Sequence, residues 1–219
     1  MSKPLAIVGI GASAGGLAAL EQFFRNMPPD AGIAFVLITH MDPAQKGQLP
    51  EILRRFTRMP VLETEDGMKI EANTVYVKPA QYDLTIFHGI IGHLEPVRTG
   101  GLRMPIDSFF QHLAENQDGR AIGIVLSGTG SDGTLGIRAI KERAGMVMAE
   151  DPSSARFSGM PWSAITSGFV DYSAQPEELP DLLLRYLKFS VTTPTDEMLA
   201  TARVEADLKQ IFTLIRLHS

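Results

Sequence analysis

Three side chains that could together carry out acyl transfer lie just after three apolar runs of the sequence. They are Ser13, His40 and Asp132. A serine hydroxyl becomes a nucleophile when a histidine accepts its proton, and a carboxylate can orient that histidine. These residue types therefore indicate a hydrolase site, provided that the fold brings the ends of the three runs together.

The serine lies in the segment Gly11-Ala-Ser13-Ala-Gly15. This matches the G-x-S-x-G pattern of a serine on a sharp turn between a strand and a helix, where the helix N-terminus offers N–H groups to an oxyanion. The same stretch fits the degenerate dinucleotide pattern Gly9-x-Gly11-x-x-Ala14. Two alternatives to a hydrolase therefore stay open for the glycine-rich turn at 9–16. It could belong to a nucleotide-binding module or to a docking module that is catalytically idle.

His40 and Asp132 each also have an ordinary structural interpretation. His40 could be a structural histidine, and Asp132 could be the N-cap of a helix over 134–143. A phosphate cradle at the glycine-rich loop is disfavoured because Gly133 is followed by Thr134 and not by the lysine of a P-loop. The remaining histidines are predicted to be structural, since none follows a buried strand: His88, His93, His112 and His218.

Composition excludes several other classes of protein. There are no cysteines, so disulfides, thiolate metal sites and cysteine nucleophiles are excluded, and no histidine or carboxylate cluster indicates a metal. The net charge of −5, from 20 basic and 25 acidic residues, argues against a nucleic-acid binder. The apolar runs are too short to span a membrane, and the N-terminus lacks an export signal. We therefore expect a cytoplasmic protein without a cofactor.

The three runs at 6–10, 34–39 and 121–127 are continuously apolar, and each is followed by a segment with helical periodicity. This pattern predicts parallel strands that are buried on both faces. Further strands are expected at 145–149 and 169–172. The fold class is thus predicted to be α/β, a doubly wound, mostly parallel sheet flanked by helices.

The segment 61–103 alternates more strongly between apolar and polar residues. Thr74-Val-Tyr-Val and Leu84-Thr-Ile-Phe, with turn signals at Asp66-Gly67 and Thr99-Gly-Gly, predict antiparallel hairpins at one edge of the main sheet. Pro105 then opens a predicted helix. Its buried side is expected to carry Ile106, Phe109, Phe110 and Leu113.

The last thirty residues are expected to form a separate unit. A linker follows 186–189, and Thr195 can cap a helix whose apolar stripe contains Val204, Leu208 and Ile211. We assign 1–189 to a catalytic domain and 190–219 to a linker and C-terminal helix that leads into a further domain.

Four ordered blocks of the sequence resemble those of the chemotaxis (CheB-type) protein-glutamate methylesterases. They contain Ser13, His40 with the Met-Asp-Pro that follows, Asp132 in Leu126-Ser-Gly-Thr-Gly-Ser-Asp-Gly, and the Gly-Met-Pro of Met160. Their order and spacing agree over about residues 4–188. The resemblance implies a serine hydrolase that removes methyl groups from glutamate γ-methyl esters on the cytoplasmic helices of chemoreceptors, and some members also deamidate glutamine.

The resemblance also implies a role for each residue. Ser13 would attack the ester, His40 would act as base and then acid, and Asp132 would orient His40. The oxyanion and substrate-binding candidates are Ala14, Thr129, Gly130 and Met160. No cofactor or metal is implied, and neither is nucleic acid or direct insertion into a membrane.

This chain departs from the family pattern in three ways. Ala14 stands where the family has Thr, and Thr129 stands where it has Met, so the rate and substrate preference are expected to differ. We also expect no phosphorylatable receiver domain before the first strand. Because the tail segment from Leu208 resembles the start of a receptor methyltransferase, we expect the esterase segment of an esterase/methyltransferase fusion.

Overall fold

In a computed structural model, the described residues are 5–40, 48–96, 103–117 and 119–189. The strands are β1 (Ala6–Ala12), β2 (Ile33–Thr39), β3 (Val61–Glu63), β4 (Thr74–Val77), β5 (Asp83–Phe87), β6 (Ile90–Leu94), β7 (Ile122–Val125), β8 (Met146–Glu150) and β9 (Tyr172–Ala174). The helices are α1 (Gly16–Asn26), α2 (Gln48–Leu53), α3 (Pro105–Asn116), α4 (Thr134–Glu142), α5 (Gly159–Thr166) and α6 (Leu179–Phe189). The turn predicted at Thr99, the residues directly after His40 and the predicted tail helix lie outside the described residues.

Seven strands form one sheet in the order β3-β4-β2-β1-β7-β8-β9, and every neighbouring pair is parallel. The inner strands are buried along their length, which is why their sequences are continuously apolar and do not alternate. With helices between the strands and a separate antiparallel pair, the predicted fold class is confirmed.

The order of the strands reverses at β1. The chain first builds β2, β3 and β4 on one side of β1 and then returns to build β7, β8 and β9 on the other. Ala12 lies opposite Thr39 of β2, and Gly11 lies opposite Val125 of β7. The loops after β1, β2 and β7 therefore leave the sheet at the same edge and diverge there, which is where open α/β sheets bind ligands.

One detail of the prediction for 61–103 is wrong. Thr74–Val77 is not a hairpin strand, because β4 is an inner parallel strand between β2 and β3. All four of its residues are buried, and so short a run cannot reveal by its sequence alone which partners it pairs with. The antiparallel hairpin is β5–β6, which forms a two-stranded sheet of its own.

Helix α3 begins at Pro105 as predicted, and the four expected apolar residues are fully buried. It packs directly on the sheet where two glycines of β1 make room. A Cβ on Gly9 would lie 2.8 Å from the Phe110 ring, and a Cβ on Gly11 would lie 2.5 Å from Ile106 Cγ2. The need for close packing therefore accounts for both glycines of the apparent dinucleotide pattern.

The chain divides into two compact units, Met1–Leu182 and Leu183–Ser219. The described part of the second unit is the end of α6. No described helix is both long enough and apolar enough to cross a membrane. The boundary at 189 and the nature of the tail stay predictions.

Candidate active site

Ser13 stands in a tight turn between β1 and α1. Its N–H donates to the Ser127 carbonyl at 3.0 Å, which extends the parallel pairing of β1 and β7 by one residue. Its own carbonyl accepts the Gly16 N–H at 3.0 Å. Between Ser13 and Gly16, Gly15 has φ +75°. This left-handed conformation turns the chain into α1 and favours glycine. The hydroxyl is thereby held at the N-terminus of a helix.

His40 is the first residue after β2 and forms a short hydrogen bond to Asp132. Its Nε2 lies 2.6 Å from Asp132 Oδ2. The His40 side chain is 34% exposed and that of Asp132 is 2% exposed. A partly accessible imidazole is therefore backed by a carboxylate that is shielded from water, where charge–charge interactions are strongest.

The Asp132 carboxylate is held by the N-terminus of α3. The Ile106 N–H donates to Oδ2 at 3.0 Å, and the Asp107 N–H donates to Oδ1 at 2.9 Å. These are free N–H groups of a first helical turn, which stabilise a negative charge. The interpretation of Asp132 as the N-cap of the helix that follows it is wrong, because the N-cap residue of α4 is Gly133 and the Asp132 carboxylate caps α3 instead.

Ser13 and His40 lie next to each other at the edge of the sheet and line the same cleft, which has a volume of about 190 Å³. Among the described residues no hydrogen bond joins the Ser13 hydroxyl to the His40 ring. Such contacts are often loose in an enzyme without substrate. The other lining residues are Ala12, Gly16, Leu17, Leu20, Thr39, Gln48, Leu49 and Ile52. We refer to this cavity as the catalytic cleft.

The predicted oxyanion donors lie on two turns that meet beside Ser13. A Cβ built on Gly128 would lie 2.9 Å from Ser13 Cβ, so the loop after β7 passes directly by the serine. Within the described part of the chain, the N–H groups of Ala14, Thr129 and Gly130 have no hydrogen-bond acceptor. They are therefore available to a developing oxyanion.

Met160 is the buried member of the four candidates, none of which is among the described residues that line the catalytic cleft. Its side chain is fully buried and its N–H donates to the Gly128 carbonyl at 2.9 Å. Its sulfur would lie 2.1 Å from a Cβ on Gly128. Met160 thus supports the loop from behind and does not line the catalytic cleft.

Sequence reasoning missed a buried network that fixes the serine turn. Glu150, at the end of β8, accepts the Ser127 N–H at 2.7 Å. The Ser127 hydroxyl donates to the Ala14 carbonyl at 3.0 Å and accepts the Phe157 N–H at 3.1 Å. Burial raises the pKa of Glu150. The sequence signal that could have identified Glu150 is a carboxylate at the end of an apolar strand. Asp132 was singled out by the same kind of signal.

The apolar wall of the catalytic cleft was also missed. By its spacing Leu17 falls on one helical face with Leu20 and Phe24, but it is 41% exposed and lines the catalytic cleft with Ser13. The core face of α1 is formed by Ala19, Leu20, Phe23 and Phe24 instead. Helical periodicity identifies an apolar stripe but does not tell which of its residues borders a cleft.

The described residues contain no group of three or more His, Asp or Glu side chains that could hold a metal ion. The remaining histidines described here lie away from the cleft lining. His93 is hydrogen-bonded to the Thr64 hydroxyl, and His112 to the Ser108 carbonyl.

Comparison with known proteins agrees with this geometry. The sequence profile described as CheB methylesterase matches residues 8–183. The chain belongs to the CheB methylesterase family. The matched segment includes Ser13, His40 and Asp132, together with all the strands of the main sheet except the first two residues of β1.

Two relatives and one crystal structure illustrate the extent of the similarity. A protein-glutamate methylesterase/protein-glutamine glutaminase of Burkholderia orbicola is 34% identical over 181 residues, 82% of this chain and 53% of that protein. A Leptospira interrogans relative is 33% identical over 80% of this chain and 92% of its own length. The CheB methylesterase catalytic domain of Thermotoga maritima has a TM-score of 0.76 and 28% identity, covering 84% of this chain and all of that one.

The similarity also extends to longer proteins. An uncharacterized 104.1 kDa protein of Rhodobacter capsulatus is 41% identical over 139 residues, which are 64% of this chain but 14% of that protein. Several CheB relatives are likewise matched over about half of their length, such as the one from Pyrococcus abyssi (31% identity, 50% of that protein). This chain therefore spans about half, or less, of the length of most of these relatives.

Proposed function

We propose that this chain hydrolyses glutamate γ-methyl esters on a bacterial chemoreceptor or a related signalling protein, with Ser13 as nucleophile, His40 as base and Asp132 as the residue that orients His40. The observation that carries this proposal is the 2.6 Å contact between His40 Nε2 and the buried carboxylate of Asp132. His40 lines the same cleft as Ser13. The names of the Burkholderia and Pyrococcus relatives support the substrate class.

The contact between His40 and Asp132 also indicates which nitrogen acts. Because Nε2 faces the carboxylate, it carries the hydrogen that Asp132 accepts. Nδ1 is then the nitrogen left to take the Ser13 proton. As Ser13 Oγ bonds to the ester carbonyl carbon, that proton passes to Nδ1 and the carbonyl oxygen becomes an oxyanion, with the free N–H groups of Ala14, Thr129 and Gly130 as candidate donors to it.

Collapse of this intermediate breaks the bond to the methoxy oxygen. His40 returns the proton to it, so methanol leaves and a glutamyl ester of Ser13 remains. A water molecule then adds to the same carbonyl carbon, giving one proton to His40, and Ser13 regains its proton as the γ-carboxylate of glutamate is released. With glutamine as substrate, the same steps release ammonia.

The lining of the catalytic cleft fits a neutral substrate group. Its apolar wall is formed by Leu17, Leu49 and Ile52, and none of the described residues that line it is a lysine, an arginine or a carboxylate. A methyl ester or an amide can be desolvated there at little cost, whereas a free carboxylate would find no lysine or arginine among the described residues of this wall. We infer that the cleft favours the ester over the glutamate product.

Methanol release from a methylated chemoreceptor fragment tests the proposal directly. We expect Ser13→Ala to lower turnover by on the order of 10⁴–10⁶, because members of a triad act as a unit. Ser131→Ala, on the loop that carries Asp132, is the matched control and should keep most of the activity. Wild-type methanol release by a folded Ser13→Ala protein would refute the mechanism.

The two alternatives make different predictions. A nucleotide-binding module should gain thermal stability with NAD by an amount that follows the occupancy of its site. A catalytically idle docking module should bind the receptor equally well before and after Ser13→Ala, with no methanol released by either protein.

We also propose a cytoplasmic location, and an esterase domain over 1–189 that precedes a further domain such as a receptor methyltransferase. Both rest on the sequence pattern and on the family. Expression of 1–189 alone tests the boundary: it should fold and release methanol at the rate of the whole chain.

A further inference from the structure

A second buried aspartate, Asp107, contacts the proposed site and has no part in the mechanism above. Its main-chain N–H donates to Asp132 Oδ1 at 2.9 Å. Its side-chain Oδ1 accepts the Gly136 N–H, in the first turn of α4, at 2.8 Å. Asp132 directly precedes α4 but caps α3, and Asp107 lies in α3 but caps α4. The two aspartates thus each cap the other's helix.

The two helix N-termini are in very close contact at this point. A Cβ on Gly136 would lie 2.5 Å from Phe110 Cβ and 3.0 Å from Asp107 Cα. A Cβ on Gly133 would lie 3.0 Å from Ile106 Cγ2. Because the contact leaves no free space, any change in the Asp107 cap must be taken up by the first turn of α3, whose N–H groups hold Asp132.

The state of the Asp107 carboxyl distinguishes it from an ordinary helix cap. The residue is 5% exposed, and within the described residues its Oδ2 is buried without a hydrogen-bond partner. Burial, together with the nearby charge of Asp132, raises the pKa of Asp107 to about 6, although hydrogen bonds from N–H groups at the start of α4 lower it in part. A neutral cap such as asparagine would satisfy the Gly136 N–H without burying a charge, so capping alone does not explain an acid here.

Among the described residues, no cationic side chain is paired with the Asp107 carboxyl. Asp132 is the charged group that acts on it, with His40 beyond. Arg103, just before α3, is bound to Asp83 and to the Ala80 carbonyl. On α4 the described basic side chains are also engaged, Arg138 with Glu142 and Lys141 with Asp171.

We propose that Asp107 is a positioning residue of the esterase reaction, which bridges the first turns of α3 and α4, fixes the Asp132 carboxylate against the His40 ring and adds a second negative charge behind it. This inference rests on the proposed function of Ser13, His40 and Asp132. As His40 takes the Ser13 proton it becomes an imidazolium, and both carboxylates stabilise that charge without touching the substrate.

The test compares Asp107→Asn and Asp107→Ala with Glu115→Gln, an exposed carboxylate on the same helix. Methanol release is measured on a methylated receptor fragment and on a small glutamate γ-methyl ester. Each rate is divided by the amount of Ser13 that a fluorophosphonate probe labels, so that loss of folded protein does not lower the apparent kcat.

For Asp107→Ala we expect kcat to fall by roughly 10- to 100-fold with KM within about twofold, on both substrates, as a displaced Asp132 would cause. For Asp107→Asn we expect a smaller loss of kcat and an acid limb of the pH–rate profile that moves to lower pH, because the lost charge no longer favours the imidazolium. Glu115→Gln should match the wild type in both respects.

An Asp107→Asn protein with the kcat and the pH profile of the wild type would overturn this inference. So would a loss of activity that comes only from a smaller amount of folded protein, since that is what a purely structural cap predicts. Ser13→Ala is measured in the same series to separate the two proposals. If it stays active the proposed function fails, and if it is inactive while the Asp107 variants behave as wild type, only the role of Asp107 fails.

Discussion

The two ends of α1 border two clefts of very different character. The catalytic cleft, at its N-terminus, has a volume of about 190 Å³ and contains Ser13 and His40. A larger cleft of about 580 Å³ lies at its C-terminus and is lined by Arg25, Arg54, Arg55, Arg58 and the rings of Phe24 and Phe56. We call it the arginine cleft. Its lining residues include no paired nucleophile and base.

The difference follows from the direction of the strands. Parallel strands all end at one edge of the sheet, where the helices that follow begin and present free N–H groups. Ser13, His40 and Asp132, which are distant in sequence, lie at that edge, together with N–H groups that have no acceptor among the described residues. The arginine cleft lies among helix C-termini and loops, so it is wider and more strongly charged but has no such convergence. Size and charge alone therefore do not locate the chemistry.

The largest expected effect that tests this comparison is that of Asp132→Asn. The asparagine keeps the shape and one acceptor for the α3 N–H groups but cannot stabilise a protonated His40. Turnover should fall by on the order of 10³–10⁴. The double variant with Ser13→Ala should be no slower than Ser13→Ala alone, as methanol release will show. Additive losses would mean that the two residues act independently.

Gly128→Ala should lower kcat by on the order of 10²-fold. The new Cβ would lie 2.1 Å from Met160 Sδ and 2.9 Å from Ser13 Cβ, so the loop or the serine must move. Gly67→Ala is the control: Gly67 has φ +78°, so alanine strains the backbone there, but it has open space around it and is not among the residues that line the catalytic cleft, so kcat should not change. The prediction fails if both variants keep the same kcat per labelled serine.

The buried carboxyl of Asp107 should make stability at the catalytic edge depend on pH. Its pKa rises from 3.8 to about 6 on folding, so the folded state binds the proton more tightly. The wild type should therefore lose stability as the pH rises from about 4 to above 6. The Asp107→Asn protein should lack this contribution to the pH dependence of its free energy of unfolding. The difference in free energy of unfolding between the two proteins should change by about 2–3 kcal/mol in favour of the variant over that range. Urea unfolding at pH 4 and pH 7 measures it, and equal differences at both pH values would contradict the pKa shift.

Leu17→Ala should raise KM about fivefold with little change in kcat. Leu17 is 41% exposed on the wall of the catalytic cleft, so its loss removes apolar contact with the substrate without opening the core. Leu135→Ala is the control, as a leucine in α4 that is 60% exposed and is not among the residues that line the cleft. Steady-state kinetics on the receptor fragment should separate the two leucines.

The smallest effect is expected in the arginine cleft. Arg55 and Arg58 have no ion-pair partner among the described residues, and Arg55→Gln with Arg58→Gln should leave kcat and KM on a small ester within about twofold of the wild type. A loss of kcat as large as that of Gly128→Ala would show that the arginine cleft is part of the catalytic machinery.

Much of the fold could be predicted because the inner strands are buried on both faces, and this leaves a continuous apolar run in the sequence. The predicted strands at 6–10 and 34–39 correspond to β1 and β2, and Pro105 opens α3. The pairing of Thr74–Val77 could not be predicted, since four buried residues fit a parallel or an antiparallel neighbour equally well. The rotation of α1 that exposes Leu17 also depends on what packs beneath it.

The candidate site could likewise be predicted from the sequence only in part. Residue type and position after a strand were enough to single out Ser13, His40 and Asp132, because nucleophile, base and carboxylate are chemically distinct and strand ends converge. Nothing local to Asp107 marks it, since an acid in the first turn of a helix is common. Its exchange of caps with Asp132 joins residues 25 positions apart and exists only once α3 and α4 are packed together.

The amino-acid sequence by itself determined the α/β architecture, the absence of cysteine chemistry and the three residues that could share one reaction, because composition and periodicity are properties of the chain. Tertiary structure alone decided that Asp132 caps α3 and faces His40 through Nε2, that Leu17 lines the catalytic cleft and that Glu150 fixes the serine turn. These are contacts between distant segments. They depend on strand order and helix packing, which no local pattern encodes.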